Sequence, residues 1–490
     1  MISFSIALVL LLAGYLIYGK VVENVFGSDP TRPTPVKTMA DGVDYVPLPS
    51  WKIFLIQFLN IAGLGPIFGA VMGVMFGPAA FLWIVFGTIF AGAVHDYLSG
   101  MLSLRNKGAS LPELVGSQLS GGIRQTMRVF SLLLMILVGA VFVYNPADLL
   151  QMLTPASLDR TFWIVMIFSY YMAATLLPVD KLIGKLYPLF GIALLFMAVG
   201  IMVMLYVHAG QMPEIWQSFH NHKADPDANP IFPMMFVSIA CGAISGFHAT
   251  QSPMMARCLE NERHARPIFY GAMVTEGVVA LIWAAAAITF CGGYDGLQSF
   301  MGNGSPAVLV NEISISWLGT FGGVLAVLGV IAAPVTSGDT ALRSARLIAA
   351  DFMGMKQKKI SSRLAVSIPI FVVCFAIMLI PYDALWRYFA WCNQVLSVFT
   401  LWALTVYLAR NRRKYMITLV PAMFMTVVTV SYILFAPEGF SALTMGTMGF
   451  AIPYEAAVGT GVTVAGVLLL MFSRWLSGRP AITTDRSAQI

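Results

Sequence analysis

The sequence predicts an all-α, polytopic membrane protein with about thirteen transmembrane helices. Composition is the first ground. Of 490 residues, 58% are hydrophobic and only 11% charged, and mean hydropathy is +0.79; soluble proteins carry about 25% charged residues. The second ground is a recurrence of apolar runs near the ~20 residues that cross a bilayer. The third is charge: threaded in turn through a membrane, the runs leave 26 of the 29 Lys and Arg on one side. A soluble enzyme, a secreted disulfide scaffold and a disordered chain are excluded.

The runs are 3–20, 52–76, 78–100, 126–149, 161–178, 186–208, 231–256, 267–291, 317–341, 364–381, 384–409, 415–435 and 456–474. The first lacks a basic flank and a small-residue cleavage site, ending in Tyr18-Gly19-Lys20. It reads as a retained helix rather than a signal peptide. Loops after odd-numbered spans collect the basic residues, from Lys20, Arg32 and Lys37 through Lys181 and Lys358 to Arg479 and Arg486. Only Arg160, Lys223 and Arg387 fall opposite. Cytoplasmic loops carry the Lys/Arg excess, so the N-terminus is expected outside and the C-terminus in the cytoplasm. One missed helix would scramble every later loop.

The longest loops, 21–50 and 209–230, and the polar tail 480–490 leave no room for a soluble domain. The net charge of +6 follows from the charged cytoplasmic face and implies no nucleic acid. Five cysteines (Cys241, Cys258, Cys291, Cys374, Cys392) show no CxxC spacing. They read as small packing residues.

Three spans are not ordinary apolar helices. Span two contains Asn60-Ile61-Ala62-Gly63-Leu64-Gly65-Pro66, and span seven contains Gly242-Ala243-Ile244-Ser245-Gly246-Phe247-His248 with Pro253 beyond. In span nine Pro334 opens the polar stretch Thr336-Ser337-Gly338-Asp339-Thr340. Proline removes a helical hydrogen bond and glycine weakens the helix. Irregular backbone at membrane depth is tolerated only inside protein or along a wet cavity. Glycines also serve close helix packing, which is the competing reading. Gly63 and Gly246, however, lie 183 residues, or five spans, apart. Breaks at matching places in two halves are the pattern of inverted-repeat transporters. Residues 51–208 and 231–409 are the expected repeats; 1–50 holds a peripheral helix and a cytoplasmic loop, and 410–490 two peripheral helices and a cytoplasmic tail.

Site candidates follow from polarity at depth, which is costly and tends to mark function. Asn60, Gly63 and Gly65 at the first break, Ser245, Gly246, His248 and Gln251 at the second, and Asn393 on span eleven are expected to line the substrate path. Glu276, mid-way along span eight, and His248 suit proton coupling, because histidine changes charge near neutral pH. His95 and Asp96, placed near the cytoplasmic end of span three, read equally as a local ion pair or helix-end cap and as a proton relay or inner gate. Thr336 and Ser337 offer hydroxyls that, with unwound carbonyls near Ala62 and Gly65, suit Na⁺; bonding back to their own helix is the alternative. Asp339 joins the ion-coupling set, with an i, i+4 ion pair to Arg343 as its plain reading. No HExxH, GxSxG or P-loop is present. No enzyme activity, metal site or cofactor is expected.

Five segments carry a resemblance. NIAGLGPIFGAVMG (60–73), FAGAVHDYLSGMLSLRNKGASLPELVG (90–116), GFHATQSPMMARC (246–258), SGDTALRSARLIAAD (337–351) and WRYFAWCNQVLS (386–397) resemble the carbon-starvation protein family, CstA, of bacterial inner-membrane transporters. The resemblance runs from near residue 50 to near residue 400. It implies uptake of small organic nutrients, with short peptides and pyruvate as associated substrates, pyruvate by proton symport. It also implies the LeuT-like fold of two inverted five-helix repeats, in which span two is the first core helix, span seven its partner and span nine the ion-site helix. Longer members have further C-terminal helices, so this chain reads as a short form.

The expected function is secondary active import across the bacterial inner membrane by proton- or sodium-coupled alternating access, linked to carbon starvation. Half-helix N-termini at the breaks would favour a carboxylate. A passive, channel-like facilitator would use the same cavity without accumulation. A starvation sensor would need a partner surface. Substrate, coupling ion and oligomeric state are left open by the sequence.

Overall fold

The structure, a computed structural model, describes residues 1–176, 183–357, 359–380 and 382–478. Lys181, Lys358, Arg479 and Arg486 of the charge pattern lie outside the described residues. So do the last residues of spans 161–178 and 364–381 and the polar tail. The described residues form helices and no strand. Ten helices are long and apolar enough to cross a membrane, or eleven if a bent pair is one span. Of the thirteen expected, two fall short of that length. One is Arg160–Leu176, with 17 residues; the other is 231–256, which is cut in two.

In chain order, α1 is Ile2–Phe26, α2 Ser50–Ile61, α3 Gly65–Val74 and α4 Ala79–Arg105. Then come α5 Leu111–Gln118, α6 Gly121–Leu153, α7 Arg160–Leu176 and α8 Ile183–Val207. The second half holds α9 Gly246–Ala256, α10 Glu262–Phe290, α11 Pro306–Met353 and α12 Ile360–Ile377. It ends with α13 Tyr382–Arg410, α14 Met416–Phe435, α15 Phe440–Met448 and α16 Tyr454–Ser477.

The first break forms as composition dictates. Helix α2 stops at Ala62 (ψ 42°), Pro66 cannot donate to the preceding turn, and α3 leaves at 54° to α2. In the second, the short turn Phe236–Ser238 ends at Ile239 (ψ 54°), and α9 starts only after an extended Ser245. The third expected break is not there. Helix α11 runs unbroken through Pro334, and its actual kink is at Gly319 (φ 68°). Tyr171 Oη donates to the Pro334 carbonyl at 3.4 Å, and the Thr336 hydroxyl donates to the carbonyls of Ala332 and Ala333. These bonds brace the turns around Pro334, whose missing amide frees the Val330 carbonyl.

The helices form two groups that meet between α2 and α11. Helices α2, α4, α9 and α10 form one, and α6, α7, α11 and α12 the other. Helix α13 touches both, through α9 and α6, and α8 bridges α2 and α11. Helices α14 and α16 pack outside α13, and α1 outside α10. Burial separates core from periphery: 83% of the α10 segment is buried against 22% of α16. The exposed faces of α1, α8, α12 and α16 carry large apolar side chains such as Leu16, Phe196, Val372 and Leu470. Such faces suit hydrocarbon rather than water.

Candidate functional site

The two breaks meet in the core, and small residues let them. A Cβ on Gly65 would lie 2.0 Å from Cys241 Cβ, and one on Gly246 would lie 2.4 Å from the Ser397 nitrogen. One on Gly63 would lie 2.8 Å from the Phe142 ring and 3.2 Å from Ser337 Oγ. These glycines set the closeness of approach.

Span eleven services the second break from both sides. Asn393 Oδ1 accepts from the Phe247 amide at 2.7 Å and from Ser245 Oγ at 2.9 Å. Gln394 Nε2 donates to the carbonyls of Ala240 (3.3 Å) and Phe236 (3.4 Å). Adjacent amides on α13 thus satisfy an orphan donor at the start of α9 and orphan acceptors before the break. The start of α9, expected to be open to a carboxylate, is capped here by Asn393.

Beneath the second break runs a chain of four titratable groups, all fully buried. His95 Nδ1 lies 2.8 Å from Asp96 Oδ1, and His248 Nδ1 lies 2.8 Å from Asp96 Oδ2. His248 Nε2 then faces Glu276 Oε2 at 3.4 Å. An ionised carboxylate only accepts hydrogen bonds, so Asp96 fixes Nδ1–H on both imidazoles and leaves His248 Nε2 turned to Glu276. At 3.4 Å that last pair is beyond a normal hydrogen bond. Neither Glu276 oxygen has a hydrogen-bond partner among the described residues. A buried cluster stays near neutrality. With Asp96 ionised, one cation balances it, and each further charge on Glu276 demands another.

At the first break the polar groups are hydroxyls and carbonyls. Ser337 Oγ donates across to the carbonyls of Asn60 (2.8 Å) and Leu59 (3.3 Å), besides Ala333 of its own helix. Thr340 Oγ1 lies 3.4 Å from Asn60 Oδ1. Asn60 Nδ2 and Gln251 Oε1 are buried without a partner among the described residues, leaving a donor and an acceptor for a ligand. Among the described residues the Thr336 hydroxyl donates within its own helix, while its carbonyl accepts from Tyr187 Oη at 3.4 Å. Asp339 does not make the helical pair with Arg343. It accepts from Tyr170 Oη at 3.1 Å and from Tyr187 Oη, while Arg343 donates to the Ala174 carbonyl at 2.6 Å. Two tyrosines from α7 and α8 compete successfully for the carboxylate that spacing alone assigns to Arg343.

The profile of the family described as carbon starvation protein CstA matches residues 1–157, 143–313 and 295–432. The chain belongs to that family. This CstA-family chain is 43% identical over 352 residues to an uncharacterized membrane protein of Haemophilus influenzae, covering 62% of this chain and 95% of the relative. It is 27% identical to the peptide transporter CstA of Campylobacter jejuni, over 63% of this chain and 52% of that protein. It is 28% identical to the pyruvate/proton symporter BtsT of Escherichia coli K12, over 54% of this chain and 46% of that protein. The chain thus spans about half the length of these two named transporters. Among solved structures, a manganese transporter of Eremococcus coleocola aligns with TM-score 0.54 and 12% identity, covering 90% of this chain and 98% of that one. That likeness shows the fold, which is the LeuT-like arrangement expected, and not the cargo. Among the described residues no group of three or more His, Cys, Asp or Glu is arranged to hold a metal.

The CstA-family chain brings together what the sequence had kept apart. His95 and Asp96 are not at a helix end, because α4 continues to Arg105. They join His248 and Glu276 in one cluster. Tyr170, Tyr187 and Thr340 belong to the polar core and were missed; single tyrosines in apolar runs carry no sequence signal. None of the eight expected substrate residues lines the cavity of about 470 Å³ between Phe68, Asn145, Asp148, Trp386 and Arg387. That cavity is at the end of the molecule expected to face outward. Its floor includes Phe68, three residues past Gly65. On the opposite side, a space of only about 10 Å³ remains between Thr250, Arg257 and Ser344.

Proposed function

We propose that this multi-pass protein is a proton-coupled importer of a small organic carboxylate of the pyruvate class, working by alternating access in the bacterial inner membrane. The observation that carries the reading is the buried chain His95–Asp96–His248–Glu276. It spans α4, α9 and α10, and its charge state depends on bound protons. Intramembrane ionisable residues of this kind mark proton relays. The symporter name borne by one relative agrees with it. The tight meeting of the breaks at Gly65 and Cys241 favours a small substrate over a peptide. Thirteen membrane passages, an outer N-terminus and two inverted repeats complete the proposal. The large cavity beside Asp148 and Arg387 is then the outer vestibule of an outward-open or occluded state. A second reading has its own observation. The hydroxyl of Ser337 against the carbonyls of Leu59 and Asn60 suits a sodium ion.

The test is uptake of labelled pyruvate, and separately of a labelled dipeptide, into proteoliposomes under an imposed proton or sodium gradient. Proton-driven accumulation of pyruvate is the expected result. Sodium-driven accumulation transfers the coupling role to Ser337. Equilibration without accumulation under both gradients makes the protein a passive facilitator and removes the reading.

A further inference from the structure

A second charged cluster lies away from the breaks, toward the small space of about 10 Å³ between Thr250, Arg257 and Ser344. Helix α11 continues past Asp339 to Arg343 and Arg346, both with no exposed surface. Into them points Asp44, from the loop between α1 and α2. Its Oδ1 stops 3.8 Å from Arg343 Nη1 and 3.9 Å from Arg346 Nη2. Neither distance is a hydrogen bond. Asp44 Oδ1 accepts none, and Arg346 donates none from Nε or Nη2. Among the described residues its hydrogen-bond partner is Gln357, whose Oε1 accepts from Nη1 at 2.7 Å. Arg257 and Arg363, 7% and 5% exposed, stand in the same region; Arg257 Nε donates to the Gly108 carbonyl and Arg363 Nε to that of Gln357. A buried guanidinium is strongly penalised unless paired and hydrogen-bonded. Arg346 is approached by a carboxylate yet not hydrogen-bonded by it, as if held for a better-fitting one.

The loop that delivers Asp44 is built as a tip. Asp41 Oδ1 accepts the amides of Val43 (2.9 Å), Asp44 (3.0 Å) and Tyr45 (2.9 Å). Burial pulls the Asp41 carboxyl up, but these amides outweigh it and hold the group below the usual carboxylate range. Tyr45 Oη ties the tip to the Lys107 carbonyl at 2.9 Å, and the Arg257 guanidinium lies 5.2 Å over the Tyr45 ring. The small space itself follows Thr250, Pro253, Met254 and Arg257. These recur at i, i+3, i+4 and i+7, one face of α9, and lead from beside His248 toward the arginines.

The geometry points to Arg346, with Arg343 beside it, as an inner carboxylate-binding site that Asp44 occupies as a tethered surrogate. Its ligand class is a small organic carboxylate, and the site rests on the reading that the transported substrate is one. In this conformation Asp44 fills the place. When the tip withdraws, the departing substrate takes it. A tethered competitor acts at an effective concentration in the millimolar range, so a free carboxylate gains access when the tether's charge is removed.

The experiment uses the purified full chain in detergent and follows thermal unfolding against pyruvate and acetate, with acetamide as the neutral control. Asp44→Asn should lower the half-stabilising pyruvate concentration about tenfold, since the occupied fraction no longer discounts affinity. Acetate should follow pyruvate and acetamide should not. Asp44→Asn/Arg346→Gln should lose that gain, and Asp44→Asn/Arg346→Lys should keep part of it. Tyr45→Phe, which loosens the tip without altering charge, should shift the response the same way by about threefold; it carries the test should Asp44→Asn not fold. Unchanged half-stabilising concentrations in both variants overturn the site. So does a gain that survives Arg346→Gln. Wild-type pyruvate uptake alongside that result leaves the transport reading intact. Arg346-dependent stabilisation without wild-type uptake of any carboxylate keeps the site and removes the transport reading.

Discussion

The polar core has two parts, and they are built for different cargo. Beneath the second break stand two carboxyls and two imidazoles, within one group of packed helices, α4, α9 and α10. Every member can gain or lose a proton. At the first break stand hydroxyls and carbonyls, and the decisive contact, Ser337 to Asn60 and Leu59, crosses from α11 to α2. Oxygen atoms converge there as a sodium ion requires. Coupling by proton would work through charge inside one helix group. Coupling by sodium would work by clamping two groups together. The same fold supplies both arrangements, so the difference is testable by side-chain changes that keep shape.

Glu276→Gln is the strongest break. It preserves volume and removes the proton. With one proton per substrate, a gradient of about two pH units supports roughly 100-fold accumulation, at 1.36 kcal/mol per unit. The variant should fall to equilibration, while exchange of labelled for unlabelled pyruvate persists. Retained proton-driven accumulation would place the coupling group elsewhere. Asp96→Asn comes next. An amide can accept from one imidazole, but its NH₂ faces the other Nδ1–H unless that ring changes tautomer. A mispaired buried group costs about 1–3 kcal/mol, so uptake should drop on the order of tenfold. The pH profile should shift with it, which a purely structural role for Asp96 would not produce.

How much of this was legible in the sequence depends on what each signal measures. The two breaks were legible, because Gly63-Leu64-Gly65-Pro66 and Gly242 to Gly246 cannot sustain a regular helix. Glu276 was legible as an acid amid apolar residues. Partners were not. Asp96 looked like a helix-end residue because the polar run after Gly100 suggested an earlier stop, whereas α4 carries wide turns over Trp83–Gly92 and ends at Arg105. Pro334 looked like a breaker, but a proline with tertiary partners is carried inside a helix. Asp339 sits at the right spacing for Arg343, yet Tyr170 and Tyr187 arrive from helices that local spacing cannot see. Asn393 was placed on the substrate path, and its capping of α9 was not legible. Periodicity and composition report where a helix must fail; they do not report which neighbour repairs it.

Ser337→Ala sharpens the other half of the comparison. It removes the hydrogen bonds that join α11 to α2, worth about 1 kcal/mol. Under proton coupling, uptake should fall only about threefold to fivefold with proton dependence intact. Under sodium coupling, the same change should abolish sodium dependence, and that outcome would reverse the ranking of the two clusters.

The smallest effect separates neighbours. Thr336 and Ser337 look equivalent in sequence, as two hydroxyls following Pro334. In the structure Thr336 Oγ1 returns to Ala332 and Ala333, at 2.8 and 2.9 Å, and reaches no other helix. Thr336→Val keeps the branched shape and removes only that bond, which competes with helix hydrogen bonding rather than adding a tertiary contact. Uptake should stay within about twofold of wild type, as for changes remote from special features. The orphaned carbonyls still take part in the α11 ladder, so stability should move little. A loss in Thr336→Val as large as in Ser337→Ala would mean that both hydroxyls face a common ligand in some other conformation. The first break would then be an ion site after all, and the division of the core into a titrating half and a structural half would fail.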